Sequence, residues 1–274
     1  MVSPLVVLSF VFILGTVIGS FLNVVIYRYN SGWSPLTGRS QCFSCGKILR
    51  PHELVPIVSF LVARGKCTTC GTRISWQYII VEALTGMMFV AVFSLGKSPT
   101  ETALLLTIFS TLIVIAAYDL RHQIIPDGLV ALFCTLGLAR LFLEFGFASS
   151  VHFPLLWWLI AGPMLFLPFW FLWFISGGRW LGLGDGKLAL GMGWFLGAGF
   201  GATAVILAFW MGAGVALVAM GFQRIFKNTH FFSEQKLSMQ SAIPFGPLLI
   251  LAVFIVYFAK VNFFDVSGIF YLPL

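Results

Sequence analysis

Charge is what this sequence has least of. Its 274 residues include only nine acids and sixteen basic residues, 9% charged in all, against 59% apolar. With a mean hydropathy of +1.00, that composition excludes a soluble domain, where about a quarter of residues are charged. Alternation of apolar and polar residues is also missing, which excludes a membrane barrel. Long continuous apolar runs remain. In lipid only helices or closed barrels satisfy the backbone, so the chain reads as all-α, a polytopic helical membrane protein in a lipid bilayer. The net charge of +7 does not call for nucleic acid, because basic residues beside membrane helices set orientation. Nor is a cleaved signal expected. The first apolar run, residues 4–26, exceeds the ~7–15 residues of a signal core, and no basic residue precedes it.

Taken in order, the runs predict about eight transmembrane helices. The first ends in Gly19-Ser20-Phe21-Leu22-Asn23, small and polar residues that suit close helix packing. Residues 28–73 then turn polar and hold seven of the sixteen basic residues. Further runs cover residues 76–95, 102–119, 128–145, 153–175, 185–199, 201–222 and 243–259. The glycine-rich stretch near 200 is read as a break between two helices, kinked or re-entrant. Thirteen basic residues fall on one side, Lys227 and Lys236 among them, and Lys97, Arg140 and Lys260 on the other. By the positive-inside rule the first side is cytoplasmic and both termini lie outside. Three parts follow: a first helix, 1–27; a cytoplasmic loop domain, 28–75; and a multi-helix membrane domain, 76–274.

So few acids make each one informative. Asp119 ends one apolar run, and Asp185 opens another inside Gly182-Leu183-Gly184-Asp185-Gly186-Lys187. The charge count puts both at the cytoplasmic face. An acid in a membrane span marks a functional site by default, and two close carboxylates share one proton, leaving an acid and a base. Such a pair can activate a water and protonate a leaving amine. Gly182 and Gly184 form the loop around Asp185. They leave room for an extended substrate and permit φ > 0 where the chain turns into the helix. The plainer alternative is an acid favoured at a helix N-terminus, with Asp119 paired to Arg121 or Lys187. Asp127, just after Pro126, reads as a helix N-cap. Glu144 and Asp265 lie on the opposite face. His122 reads as a surface histidine, and Cys134 as a packing residue.

Cysteine is scarce too, but four of the five stand in two C-x-x-C pairs, Cys42 with Cys45 and Cys67 with Cys70, 21 residues apart. Four thiolates at that spacing suit a structural, tetrahedral Zn2+. Gly46 and Gly71 follow the pairs at matching positions, as in zinc knuckles. A loop this short needs a staple. Disulfides are the alternative, disfavoured where cytoplasmic thiols stay reduced.

These motifs together, in this order, resemble the type IV prepilin peptidases, bifunctional leader peptidases and N-methyltransferases with a G-x-G-D aspartyl site. The resemblance rests on the end of the first helix, the two cysteine pairs, Asp119-Leu120 with Ile125-Pro126-Asp127, the Gly182–Lys187 motif, and Pro244-Phe245-Gly246-Pro247. It implies catalytic Asp119 and Asp185 and cleavage of a basic leader from prepilins or pseudopilins at the cytoplasmic face of a bacterial inner membrane. It also implies methylation of the new N-terminus by S-adenosylmethionine, with Glu82 and the cysteine domain bearing on methylation rather than cleavage. Tyr27-Arg28-Tyr29-Asn30 and Ser75-Trp76-Gln77-Tyr78-Ile79 depart from the family pattern beside that domain. No dinucleotide-type motif marks where the methyl donor binds, so no cofactor-binding residue is named. Two other readings remain: a transporter, which would show inverted halves and midplane acids, and a zinc-bearing scaffold, which gives Asp119 and Asp185 no task.

Overall fold

The computed structural model describes residues 3–145, 153–225 and 244–264. These residues form helices α1 (Pro4–Arg28), α2 (Val58–Val62), α3 (Gln77–Phe93), α4 (Pro99–His122), α5 (Asp127–Phe145), α6 (Phe153–Ser176), α7 (Leu183–Ile225) and α8 (Gly246–Ala259), with a 3-10 turn at Pro51–Leu54. They contain no strand beyond two isolated bridge pairs. Helices α1, α4, α6 and α7 are long and apolar enough to cross a membrane, and α3 and α8 are shorter apolar helices. The protein is a multi-pass helical membrane protein. Lys227, Lys236 and Asp265 lie outside the described residues. The chain divides into two compact units, Met1–Tyr118 and Asp119–Leu274.

In the first unit α1 and α3 meet through small residues. A Cβ on Gly15 would sit 2.8 Å from Gly86 Cα, and one on Gly19 2.8 Å from Glu82 Cα. Backbones this close are the membrane substitute for a hydrophobic driving force. The loop between these helices folds as two matching knuckles. Cys42 N–H bonds Lys47 O and Gly46 N–H bonds Cys42 O; Cys67 N–H bonds Thr72 O and Gly71 N–H bonds Cys67 O. Gly46 and Gly71 take φ of 69° and 71°, where a side chain is strained. Glu53 ties the knuckles together. It accepts Lys47 Nζ at 2.7 Å and Thr68 Oγ1 at 2.6 Å. The Arg50 amide, then Lys47 and Thr68, hold its carboxyl down at about 2.

In the second unit α7 is central. It is one 43-residue element by hydrogen bonding, but Gly197 within it is non-helical, at φ 78° and ψ 176°. Gly193 and Gly201 would be about 12 Å apart on a straight helix, yet a Cβ on Gly201 would lie 3.7 Å from Gly193 Cα. The chain therefore reverses at Gly197, and α7 is a hairpin of two arms. The break expected near residue 200 lies three residues earlier. Trp158 stands 2.9 Å from where a Gly197 Cβ would be, so only glycine fits both the space and the φ.

Two side chains repair the backbone around this hairpin. Pro163, inside α6, has no N–H for the Leu159 carbonyl four residues back; Trp194 Nε1 donates to that carbonyl at 3.0 Å. The reversal also orphans the last carbonyls of the first arm. Arg140, only 7% exposed, donates from Nη1 to Phe195 O at 2.8 Å. A cation at a helix C-terminus also meets the negative end of the dipole. Glu144 is its ion-pair partner at 3.6 Å.

Candidate active site

Both acids belong to the second unit. Asp119 stands in the last turn of α4 and is 4% exposed; Asp185 stands in the first turn of α7 and is 9% exposed. The segments that carry them meet at Ile125, which lies against both Gly184 and Gly246. Among the described residues, neither acid has an ion-pair partner within 4 Å. Lys187 is engaged elsewhere, 2.8 Å from Asp127 Oδ1.

The Gly246 backbone at the start of α8 lies against the Asp119 carboxylate, and the Gly182 backbone before α7 lies beside that of Asp185. Each carboxylate is thus near a helix N-terminus, where negative charge is stabilised. Gly246 opens α8 with Pro247 behind it, and a Cβ there would sit 2.6 Å from Asp119 Oδ2. Ile125 fills the space between: a Cβ on Gly184 would lie 3.0 Å from Ile125 Cβ, and one on Gly246 3.1 Å from its Cδ1. The sequence offered Pro244-Phe245-Gly246-Pro247 as a motif without a task. It brings the start of α8 against Asp119.

Two expectations change. Gly182 and Gly184 do not take positive φ. The left-handed residues before α7 are Gly177 and Gly178, at 58° and 78°, which end α6. Gly184 is needed for the close approach of Ile125, and Gly182 lies at the edge, its Cβ position 3.4 Å from Asp185 Oδ2. Asp127 is the first residue of α5 rather than its cap. Its carboxylate reaches Lys187 across to α7, and Pro126 O accepts the first helical amides instead. Cys134 is buried against Gly191, as a packing residue. His122 is exposed at the end of α4.

The four paired cysteines come together in the first unit. Their Sγ atoms all lie within 4.8 Å of one another, and Cys42 Sγ is 3.8 Å from Cys70 Sγ. A tetrahedral ion with Zn–S bonds of about 2.3 Å separates its sulfurs by about 3.8 Å. None of the five cysteines is disulfide-bonded in this structure. The donor set suits a cation, four sulfurs gathered around one point. The cluster can bind zinc with every position filled by protein, which leaves none for catalysis.

Residues 13–95 match the bacterial peptidase A24 N-terminal domain, and residues 106–217 the type IV leader peptidase family. A prepilin leader peptidase/N-methyltransferase of Dichelobacter nodosus is 33% identical over 65% of this chain and 71% of its own length. The chain belongs to the type IV leader peptidase family. The protein of the same description from Stutzerimonas stutzeri is 28% identical over 91% of this chain and 90% of its own. The one from Myxococcus xanthus is 41% identical, but the match spans 43% of this chain and 35% of that protein. No solved structure matches. Both matched domains fall on the motifs described above, with the cysteine pairs in one and the two acids in the other.

Proposed function

We propose that this protein removes the basic leader from type IV prepilins and pseudopilins with Asp119 and Asp185 as an aspartyl dyad, and then methylates the new N-terminus. Family membership supports the reaction. The observation that carries the dyad is the burial of two neighbouring carboxylates without a counter-ion. An uncompensated buried pair costs several kcal/mol, and a chain with nine acids has little structural reason to keep one.

One carboxylate of the pair is ionised and takes a proton from water. The water oxygen attacks the carbonyl of the last leader residue. The protonated partner gives its proton to the amine as the C–N bond breaks. S-adenosylmethionine supplies an electrophilic methyl for the freed amine. A zinc ion would be held by Cys42, Cys45, Cys67 and Cys70 and would staple the loop. The site lies at the cytoplasmic face of a bacterial inner membrane on this reading, supported by the basic residues gathered there. A prepilin with its leader in the cytoplasm and its apolar stem in the bilayer brings the scissile bond to that depth.

The test mixes purified protein with one prepilin, with and without the methyl donor, and weighs the products. Loss of the leader mass and a gain of one methyl are expected. Asp119→Asn and Asp185→Asn should each abolish cleavage by on the order of 10³-fold or more, and the double variant should be little worse. An Asp185→Asn protein cutting at the normal rate would falsify the dyad.

A further inference from the structure

One cluster of buried polar groups takes no part in cleavage or in the cysteine site. It lies in the first unit, where the end of α1 meets the start of α3 and the cysteine loop. Asn23 is 1% exposed and Glu82 6%. Asn23 Nδ2 donates to Tyr78 O at 3.1 Å, but its Oδ1 is buried without a partner. Gln77, beside Tyr78 and first in α3, has a buried Nε2 that is also unpartnered. A buried polar group left without a partner is costly. An unmet acceptor and an unmet donor flanking one peptide point to a ligand that brings both kinds of group.

Glu82 adds a carboxylate about one turn along α3 from Tyr78. It accepts the Ile57 amide at 2.7 Å. Ile57 stands at φ 61° and ψ −54°, and Val58 N–H closes on Pro56 O. This is the strained form of the γ-turn, rarer still for a β-branched residue. Strain of this kind gathers at ligand clamps.

The groups sort by charge. Asn23 Oδ1 and the Glu82 carboxylate suit an ammonium. Gln77 Nε2, at the positive end of α3, suits a carboxylate. An α-amino acid carries both, and on the methyl-transfer reading, on which this rests, the methyl donor ends in one. We propose that Asn23, Gln77 and Glu82 hold the amino-acid end of S-adenosylmethionine. Its ammonium takes the place of the Ile57 amide on Glu82, and the turn relaxes. The cysteine loop bears on the same place, because Phe43 packs on Tyr27 with ring centres 5.4 Å apart and Tyr27 stacks on Tyr78 at 5.0 Å.

Equilibrium binding of radiolabelled S-adenosylhomocysteine to the purified full-length protein reads this directly. Asn23→Leu removes the acceptor at similar size. Gln77→Glu replaces the donor by a charge that repels the ligand carboxylate, and its melting temperature, measured beside that of the parent, shows whether it is folded. Each should weaken binding by about tenfold or more, the value of one hydrogen bond to a charged group. Gln77→Lys should bind within about threefold of the parent, since it keeps a donor. Melting temperature and zinc content check that Asn23→Leu is folded. Folded variants that bind like the parent overturn the placement while leaving methyl transfer standing. A parent protein that takes up no S-adenosylhomocysteine overturns the methyl-transfer reading itself, and this proposal with it.

Discussion

A single hydrogen atom on Gly246 decides how close α8 comes to Asp119. The smallest side chain there would stand 2.6 Å from Oδ2, so Gly246→Ala must push either the carboxylate or the helix aside. Alanine is the better helix former, and the fold should survive. A displacement of about 1 Å at a catalytic group costs on the order of 10²-fold. Cleavage by Gly246→Ala should fall by that order with the melting temperature unchanged. Asp127 gives the contrast. Its pair with Lys187 is largely exposed, and such pairs are worth about 0–1 kcal/mol. Asp127→Asn should cut within a few-fold of the parent. Asp119 and Asp185 were legible in the sequence because acids are so few. Gly246 and Ile125 were not as readable, because their work is steric and depends on approaches from distant segments.

Among the elements, the α7 hairpin rests on one residue. Gly197 combines a left-handed φ with Trp158 at 2.9 Å from the absent Cβ, and strained backbone of this kind costs about 1–3 kcal/mol. Gly197→Ala should lower the melting temperature, with the steric clash adding to the backbone cost, and the drop should exceed that of Gly214→Ala, where a Cβ meets nothing within 4 Å. Helix ends were readable from apolar runs to within a few residues: the run expected to start after Asp127 begins one residue earlier, at Asp127–Phe145, and 102–119 extends to Pro99–His122. The Arg140 cap on Phe195 O and the Trp194 bond to Leu159 O were invisible. Both repair backbone groups that appear only once a proline or a reversal has freed them. Glu53 is a similar case in the loop, where its carboxylate joins the two knuckles. Glu53→Ala should leave the four cysteines in place but make the loop more open to protease, measured by the rate of nicking between residues 47 and 67.

For the molecule as a whole, composition alone settled the class. A chain with this hydropathy has too little polar surface to cover its helices in water and must place them in lipid. The two compact units then hold different equipment, with the cysteine loop and the Asn23–Glu82 cluster in one and the two acids in the other. That separation predicts how metal removal will act. Stripping zinc should find about one ion per chain, loosen the loop and lower methylation, because Phe43 is carried on the first knuckle. Cleavage should persist at a comparable rate. Equal loss of both activities on chelation would show that the loop also serves the dyad.

The reversal at Gly197 has a consequence for reading any such chain by hydropathy. Residues 193–201, Gly-Trp-Phe-Leu-Gly-Ala-Gly-Phe-Gly, carry no charge and no polar side chain other than the indole, so the two arms merge into one apolar segment of 39 residues. Counting that segment as a single crossing changes the parity of every span after it. It would send the start of α8 to the face of the bilayer opposite Asp119. The start of α8 lies against the Asp119 carboxylate, which fits the even count, and a nine-residue stretch with nothing hydrophilic in it is what keeps the two halves of the site on one side.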